Sequence, residues 1–233
     1  IRGPADVLGH EMLLHEDNIS SGYIGDGWDE KVYELASEAL ATGRSFRAPL
    51  NEDIEVFVEA ITPPPTLVMV GGVHIAVALT SLAKTLGYRT VVIDPREAWG
   101  NEERFPHVDS LIQSWIDEAF EQVKITSVTA IAMLTHDPKL DDPALKVALN
   151  SPAFYVGALG SKSTNEKRRE RLLSEGISDL QLARLHAPIG LDIGAQTPEE
   201  IALAVMSEVV STHRKQKQVS AENEAQASPI SSL

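Results

Sequence analysis

A chain of 233 residues, 43% hydrophobic and 23% charged, is globular and long enough for one large core or two smaller ones. Its formal net charge of −14 excludes general nucleic-acid binding, because a phosphate backbone would be repelled without a local basic patch. The absence of cysteine excludes disulfides and any persulfide held by this chain, and it suits the cytoplasm, which is where the protein is expected.

Of the charge, −9 falls in residues 1–62, where 13 Asp/Glu face 4 Lys/Arg. An acidic front end favours a protein partner over RNA, against the plainer reading of a solvated surface. No apolar run reaches the 18 residues of a membrane-spanning helix, so none is expected. The chain opens on Ile1, and the expectation is a piece of a longer protein.

"WDEKVYELASEALATG" places Val32, Leu35, Ala36, Ala39 and Leu40 on one helical face and closes on Gly43. "EVFVEAI" alternates as an imperfect strand, and "TPPPT" follows as a stiff, extended link. The boundary is placed there: a smaller α+β module over 1–62, a linker over 63–66 and a second domain over 67–213. Beyond the link, "TLVMV", "HIAVALTSLAKTLG" and "RTVVIDP" read as a β-α-β unit with Gly87 as helix stop. "SVTAIAMLTHD" and "PAFYVGALG" add buried strands, with "DDPALKVALN" between them as a helix capped by Asp142 with Pro143 first. "TPEEIALAVMSEVVSTHR" carries a capping box, Thr197 with Glu200. The polar run after Arg214 predicts a disordered tail over 214–233. The fold class is α/β, a Rossmann-like, mostly parallel sheet with helices on both faces.

"LVMVGGVHIAVAL" has the form of a dinucleotide loop, with Gly71 for the tight turn and Ala76 for close helix packing. Gly72 is a second glycine of the turn. Val73 stands where the pyrophosphate-facing glycine is usual. Asp94, 23 residues past Gly71, is placed to accept a hydrogen bond from a ribose 2′-OH, and Arg96 to stack on a ring or pair with a phosphate. The plain alternative is a tight turn and a solvated arginine. His74, in the first helical turn, is expected neutral because the helix dipole disfavours imidazolium there.

His136 and Asp137 end a predicted parallel strand, at the edge where open α/β sheets bind ligands. In "GALGSKSTNEKRRERL", Gly157 and Gly160 end another strand, and Ser161 and Lys162 precede a helix N-terminus suited to an anion. Arg168, Arg169 and Arg171 read as a solvated face. "RLHAPIGLDIGAQTPEE", with His186 and Asp192, is an irregular segment long enough to suggest a role. No ligand spacing predicts a metal site, and no nucleophile-base-acid set can be assigned.

Six segments in order, "LVMVGGVHIAVAL", "VVIDPR", "ERFP", "LTHDPKLDDPAL", "YVGALGSK" and "HAPIGLDIGAQTPEEIA", span Leu67 to Ala202 and together resemble the XdhC/CoxI family of molybdoenzyme maturation factors. The N-terminal module resembles that family more faintly through Gly22, Gly27 and Glu30. There Trp28 stands where the family has a cysteine, and Gly25 and Asp26 replace Ser and Gly. The resemblance implies a protein that binds the molybdenum cofactor (molybdopterin), assists its sulfuration with a cysteine desulfurase as sulfur source, and delivers it to an apo-molybdoenzyme of the xanthine dehydrogenase or CO dehydrogenase type. It also implies a homodimer, and a role as accessory protein rather than enzyme. Two alternatives stand beside it: an NAD(P)-dependent oxidoreductase built on Gly71, Ala76 and Asp94 with His136 or His186 as acid/base, and a paralogue acting only as a scaffold.

Overall fold

The computed structural model describes residues 2–5, 7–15, 17–25 and 27–227, with only the helical backbone for 217–227. Asp26 and residues 228–233 lie outside it. The chain divides into two compact units, Ile1–Pro63 with Lys215–Leu233, and Pro64–Arg214.

In the first unit β1 (Met12–Leu14) and β2 (Ser20–Gly22) form an antiparallel pair, followed by α1 (Asp29–Thr42) and the antiparallel pair β3 (Phe46–Pro49) and β4 (Glu55–Val58). Trp28 is the N-cap residue of α1 and packs against the small core of Ile24, Val32, Leu50 and Ile54. Gly43 closes the helix in the left-handed conformation, φ 60°, which glycine adopts without steric cost.

The second unit runs β5 (Thr66–Val70), α2 (His74–Thr85), β6 (Arg89–Ile93), β7 (Ser110–Ile112), α3 (Ile116–Glu121), β8 (Thr129–Met133), α4 (Pro138–Leu149), β9 (Tyr155–Ala158), α5 (Lys162–Ser174), α6 (Asp179–Leu182), β10 (Leu185–His186) and α7 (Pro198–Ala227) as far as Arg214. The six strands pair in parallel in the order β10-β9-β8-β5-β6-β7. Counted within the sheet this is 6-5-4-1-2-3, the doubly wound Rossmann order, whose direction reverses between β5 and β8. Successive strand residues point to opposite faces. Leu67 and Met69 therefore join one core with Leu79, Ala83, Val205 and Val209 of α2 and α7, while Val68 and Val70 join the other with Ala119, Leu145 and Leu172 of α3, α4 and α5. Both faces are covered, which is why the strands read as continuous apolar runs.

Three local features differ from the expectations. First, α4 starts at Pro138, four residues before the expected cap Asp142, because Asp137-Pro138 already supplies a cap and a first-turn proline; Pro143 lies inside the helix. Second, β10 is a two-residue edge strand within a segment expected to be irregular. Third, the helix begun at Pro198 continues to Ala227, into the stretch 214–233 expected as a disordered tail, of which 228–233 lie outside the described residues. That stretch is polar, but rich in Ala, Glu, Gln and Lys, all good helix formers, and has no Gly or Pro before Pro229.

Candidate functional site at the carboxyl edge of the sheet

All six strands run parallel, so the segments leaving β5, β6, β8, β9 and β10 emerge on one edge. After Val70 the chain turns through Gly71 at φ +108°, a conformation that disfavours any side chain; a Cβ there would lie 2.3 Å from Thr135 Cγ2 at the exit of β8. A Cβ on Gly72 would lie 2.3 Å from the carbonyl oxygen of Trp99. The turn is thus closed on one side by the neighbouring strand and on the other by the segment after β6.

Asp94 joins these parts. It is fully buried, and its carboxylate accepts from the Gly72 amide (2.8 Å), the Arg96 amide (2.9 Å), Arg96 Nε (2.9 Å) and Arg96 Nη2 (2.7 Å). A carboxylate offers about four acceptor directions, so this chain uses them all. Burial opposes its ionisation, but the Arg96 guanidinium and the two amides outweigh that and hold the carboxyl below the usual range. Asp94 sits where a ribose-binding acid is expected; its oxygens tie Gly72 to Arg96 instead. Val73 packs its side chain against the core beneath α2.

Trp99 lies over this knot. The Arg96 and Arg104 guanidinium carbons stand 5.6 and 5.3 Å from its ring centre, and the His74 ring meets it edge-on at 6.3 Å. Arg104 Nη2 donates to the Gly72 carbonyl at 3.2 Å, while its Nε is buried without a hydrogen-bond partner. No side chain caps α2. Beside this cluster a groove of about 640 Å³ runs along α2, with His74 and Arg104 at one end, Val77, Ala78, Ser81 and Leu82 along its floor, and Pro198 and Glu199 of α7 in its wall. That volume lies in the range of small-molecule sites.

Across the switch point, Thr135 donates to Asp141 at 2.5 Å, and Asp141 accepts from Arg168 Nη2 at 2.8 Å. Arg168, only 1% exposed, also reaches the Leu159 carbonyl and Asn165. Burial raises the Asp141 carboxyl, and its contacts with Thr135 and Arg168 compensate only in part. The solvated arginine face is corrected here: Arg168 is a core residue and Arg171 pairs with Asp142 at 2.6 Å, while Arg169 meets Asp179 on the exposed surface. Asp141 and Asp142 lie next to each other and Arg168 and Arg171 three apart, a matched pattern that could have disclosed the double pairing.

Other residues singled out in the sequence have plainer settings. Asp137 caps α4 by accepting from the Lys139 amide at 3.0 Å, and His136 beside it is exposed. Both Asp137 and Asp141 act electrostatically on Arg96. Ser161 caps α5, and Lys162, its first residue, is exposed. Gly157 has no room for a side chain, since a Cβ would meet Ile189 and the Tyr155 hydroxyl at 2.6 Å. His186 Nδ1 is 3.1 Å from Glu208 of α7, which also accepts from Tyr155 (2.7 Å) and the Gly190 amide (2.8 Å). Burial opposes ionisation of Glu208, and these three partners together lower it. Asp192 is exposed in the following loop. Trp99, Arg104, Thr135, Asp141 and Glu208 were not legible as site residues: Arg104, Asp141 and Glu208 have partners 18 or more residues away, and the nearer contacts of Trp99 and Thr135 depend on loop conformation. Among the described residues no group of three or more His, Cys, Asp or Glu is placed to hold a metal ion.

The strand order and the glycine turn at its switch point define a Rossmann-type domain with a polar carboxyl edge. Residues 67–209 match the family described as the XdhC Rossmann domain. The chain belongs to the XdhC family. It is 29% identical over 207 residues to a probable xanthine dehydrogenase subunit of Bacillus subtilis, covering 88% of this chain and 58% of that protein. It is 29% identical over 225 residues to the uncharacterized protein YqeB of Escherichia coli, covering 90% and 41%. It is 33% identical over 100 residues to the molybdenum cofactor insertion chaperone PaoD of Escherichia coli, covering 43% and 31%. The chain thus spans about half the length of the first two relatives. A crystal structure of a protein called a xanthine dehydrogenase from Bacillus halodurans shares the fold, with a TM-score of 0.59 at 20% identity over 94% of this chain and 88% of that one.

Proposed function

We propose that this chain binds the molybdenum cofactor and delivers it to an apo-enzyme of the xanthine dehydrogenase type during maturation. The observation that carries the reading is membership of the XdhC family across residues 67–209, with a relative named as a molybdenum cofactor insertion chaperone. The cofactor is an anionic, ring-bearing group, and the residues present fit it: Arg104 Nε lacks an acceptor, α2 has no side-chain cap, and Trp99 offers an aromatic surface beside them. Arg104 and His74 would hold the group, with Lys162 and His136 further along the same edge. Once in the client, the group supplies metal-centred redox chemistry; here the chain binds, orients and releases it. Having no cysteine, the chain depends on a separate cysteine desulfurase for any sulfur added.

Nicotinamide binding has less support, because the Gly72 amide and all four acceptor directions of Asp94 are engaged within the chain. The delivery reading is tested by co-expressing the protein with an apo-enzyme of the xanthine dehydrogenase type and measuring cofactor content and activity. Both should rise over the apo-enzyme expressed alone; equal content in the two would overturn the reading.

A further inference from the structure

Trp115 goes against the preference of its own position. It is the N-cap residue of α3, where Ser, Thr, Asp or Asn would accept from the first amides of the helix, yet it makes no side-chain cap bond. It is 60% exposed and belongs to neither core of the second unit. Among the described residues its ring has no aromatic or cationic partner, whereas two guanidinium groups stand 5.6 and 5.3 Å from the ring centre of Trp99. An exposed ring that neither caps nor packs has its use outside the chain, and tryptophan is among the side chains most enriched where protein–protein binding energy concentrates.

The surface around it is acidic. Gln113, two residues earlier, donates to the Gly100 carbonyl and so holds the segment after β6 against the start of α3. Residues 97–118 hold six Asp or Glu and one Arg, a net of −5. Asp109 is paired with Lys84, and Arg104 is turned to Gly72 and Trp99. Glu97, Glu102, Glu103, Asp117 and Glu118 remain, all exposed and without an ion-pair partner among the described residues. Such a field repels nucleic acid and anionic lipid and draws in cations. An arginine side chain answers both features at once, because its guanidinium is positive and stacks on an aromatic face. We propose that Trp115 and these five acids are the docking surface for a basic, arginine-bearing segment of a partner protein. The inference rests on the delivery reading only for which protein that is, the apo-enzyme.

The test uses the full chain and isothermal titration with deca-arginine and deca-lysine peptides, with tryptophan emission followed in parallel. Deca-arginine should bind more tightly than deca-lysine and shift the emission. Trp115→Ser, which supplies the cap that α3 lacks, should abolish the shift and weaken deca-arginine about fivefold or more. Glu102→Lys with Glu103→Lys should weaken it about tenfold or more, while Glu34→Lys with Glu38→Lys, the same change of charge at exposed positions of α1, should alter it by about twofold at most. No binding of deca-arginine, equal affinity for the two peptides, no effect of Trp115→Ser, or equal losses from the two charge-reversed pairs would each overturn the inference. The maturation assay separates it from the delivery reading. If the wild-type chain matures its client and both Trp115→Ser and the Glu102→Lys, Glu103→Lys variant do so equally well, the docking surface fails while delivery stands. If the peptide titrations come out as expected but the wild-type chain does nothing for the client, delivery fails while the basic-segment surface stands.

Discussion

Asp94 and Asp141 are both buried carboxylates at the switch point, and their surroundings push them in opposite directions. Asp94, bracketed by a bidentate arginine and two amides, is held below the usual range, whereas burial wins at Asp141 and raises it. The Asp141–Arg168 pair is a case where breaking one side leaves the other charge stranded. Arg168→Met should therefore cost about 3–5 kcal/mol in urea unfolding, and adding Asp141→Leu should restore part of that loss. A cost below about 1 kcal/mol for the single variant, the level of an exposed pair, would contradict the assigned burial. The fate of Asp94 also shows where reading residues in order stops. Its position after a strand, 23 residues from Gly71, was visible. That Arg96 folds back on it with Nε and Nη2, and that Trp99 covers the turn, depends on a loop conformation no periodicity encodes.

Among the elements, the β5-α2-β6 unit is fastened at its far end by Asp109, just before β7. Asp109 accepts from Lys84 of α2 at 2.7 Å and from the amide and hydroxyl of Thr90 of β6 at 2.8 and 2.9 Å. The Lys84 ammonium first, then the Thr90 bonds, lower its carboxyl from 3.8 to about 2. A carboxyl lowered in the folded state contributes stability above its unfolded value, and that contribution is lost as pH falls through the folded value. The relevant window is therefore pH 3.8 down to about 2. Asp109→Asn should flatten the loss of stability across that window and cost at most about 1 kcal/mol at neutral pH, since the pair is partly exposed. An unchanged acid limb in chemical denaturation would contradict the role.

Long elements with regular spacing were legible: the apolar runs of β5, β6 and β8, α2 with its stop at Gly87, and α7 with its start signal. The Thr197–Glu200 capping box is present, Glu200 accepting from the Gln196 and Thr197 amides. The two residues of β10 carry too little pattern to be read, and they hold their place by pairing with Val156 and Gly157. The start of α4 was misread because two Asp-Pro steps compete within "HDPKLDDPAL", and only packing shows that the first one begins the helix.

At the scale of the molecule, a six-stranded doubly wound parallel sheet supplies the frame of the second unit and brings the segments after its strands to one edge. Residues 67–209 belong to the XdhC family, and Trp28 packs in a small hydrophobic core outside that stretch. The sequence carries no thiol. The proposed binding of the molybdenum cofactor is tested by incubating the purified protein with cofactor released from a donor molybdoenzyme, removing the unbound fraction by gel filtration, and reading pterin fluorescence after oxidation. Pterin should co-elute with the protein in near-equal molar amount; pterin no higher than with an unrelated Rossmann-fold protein would show that this chain does not hold the cofactor.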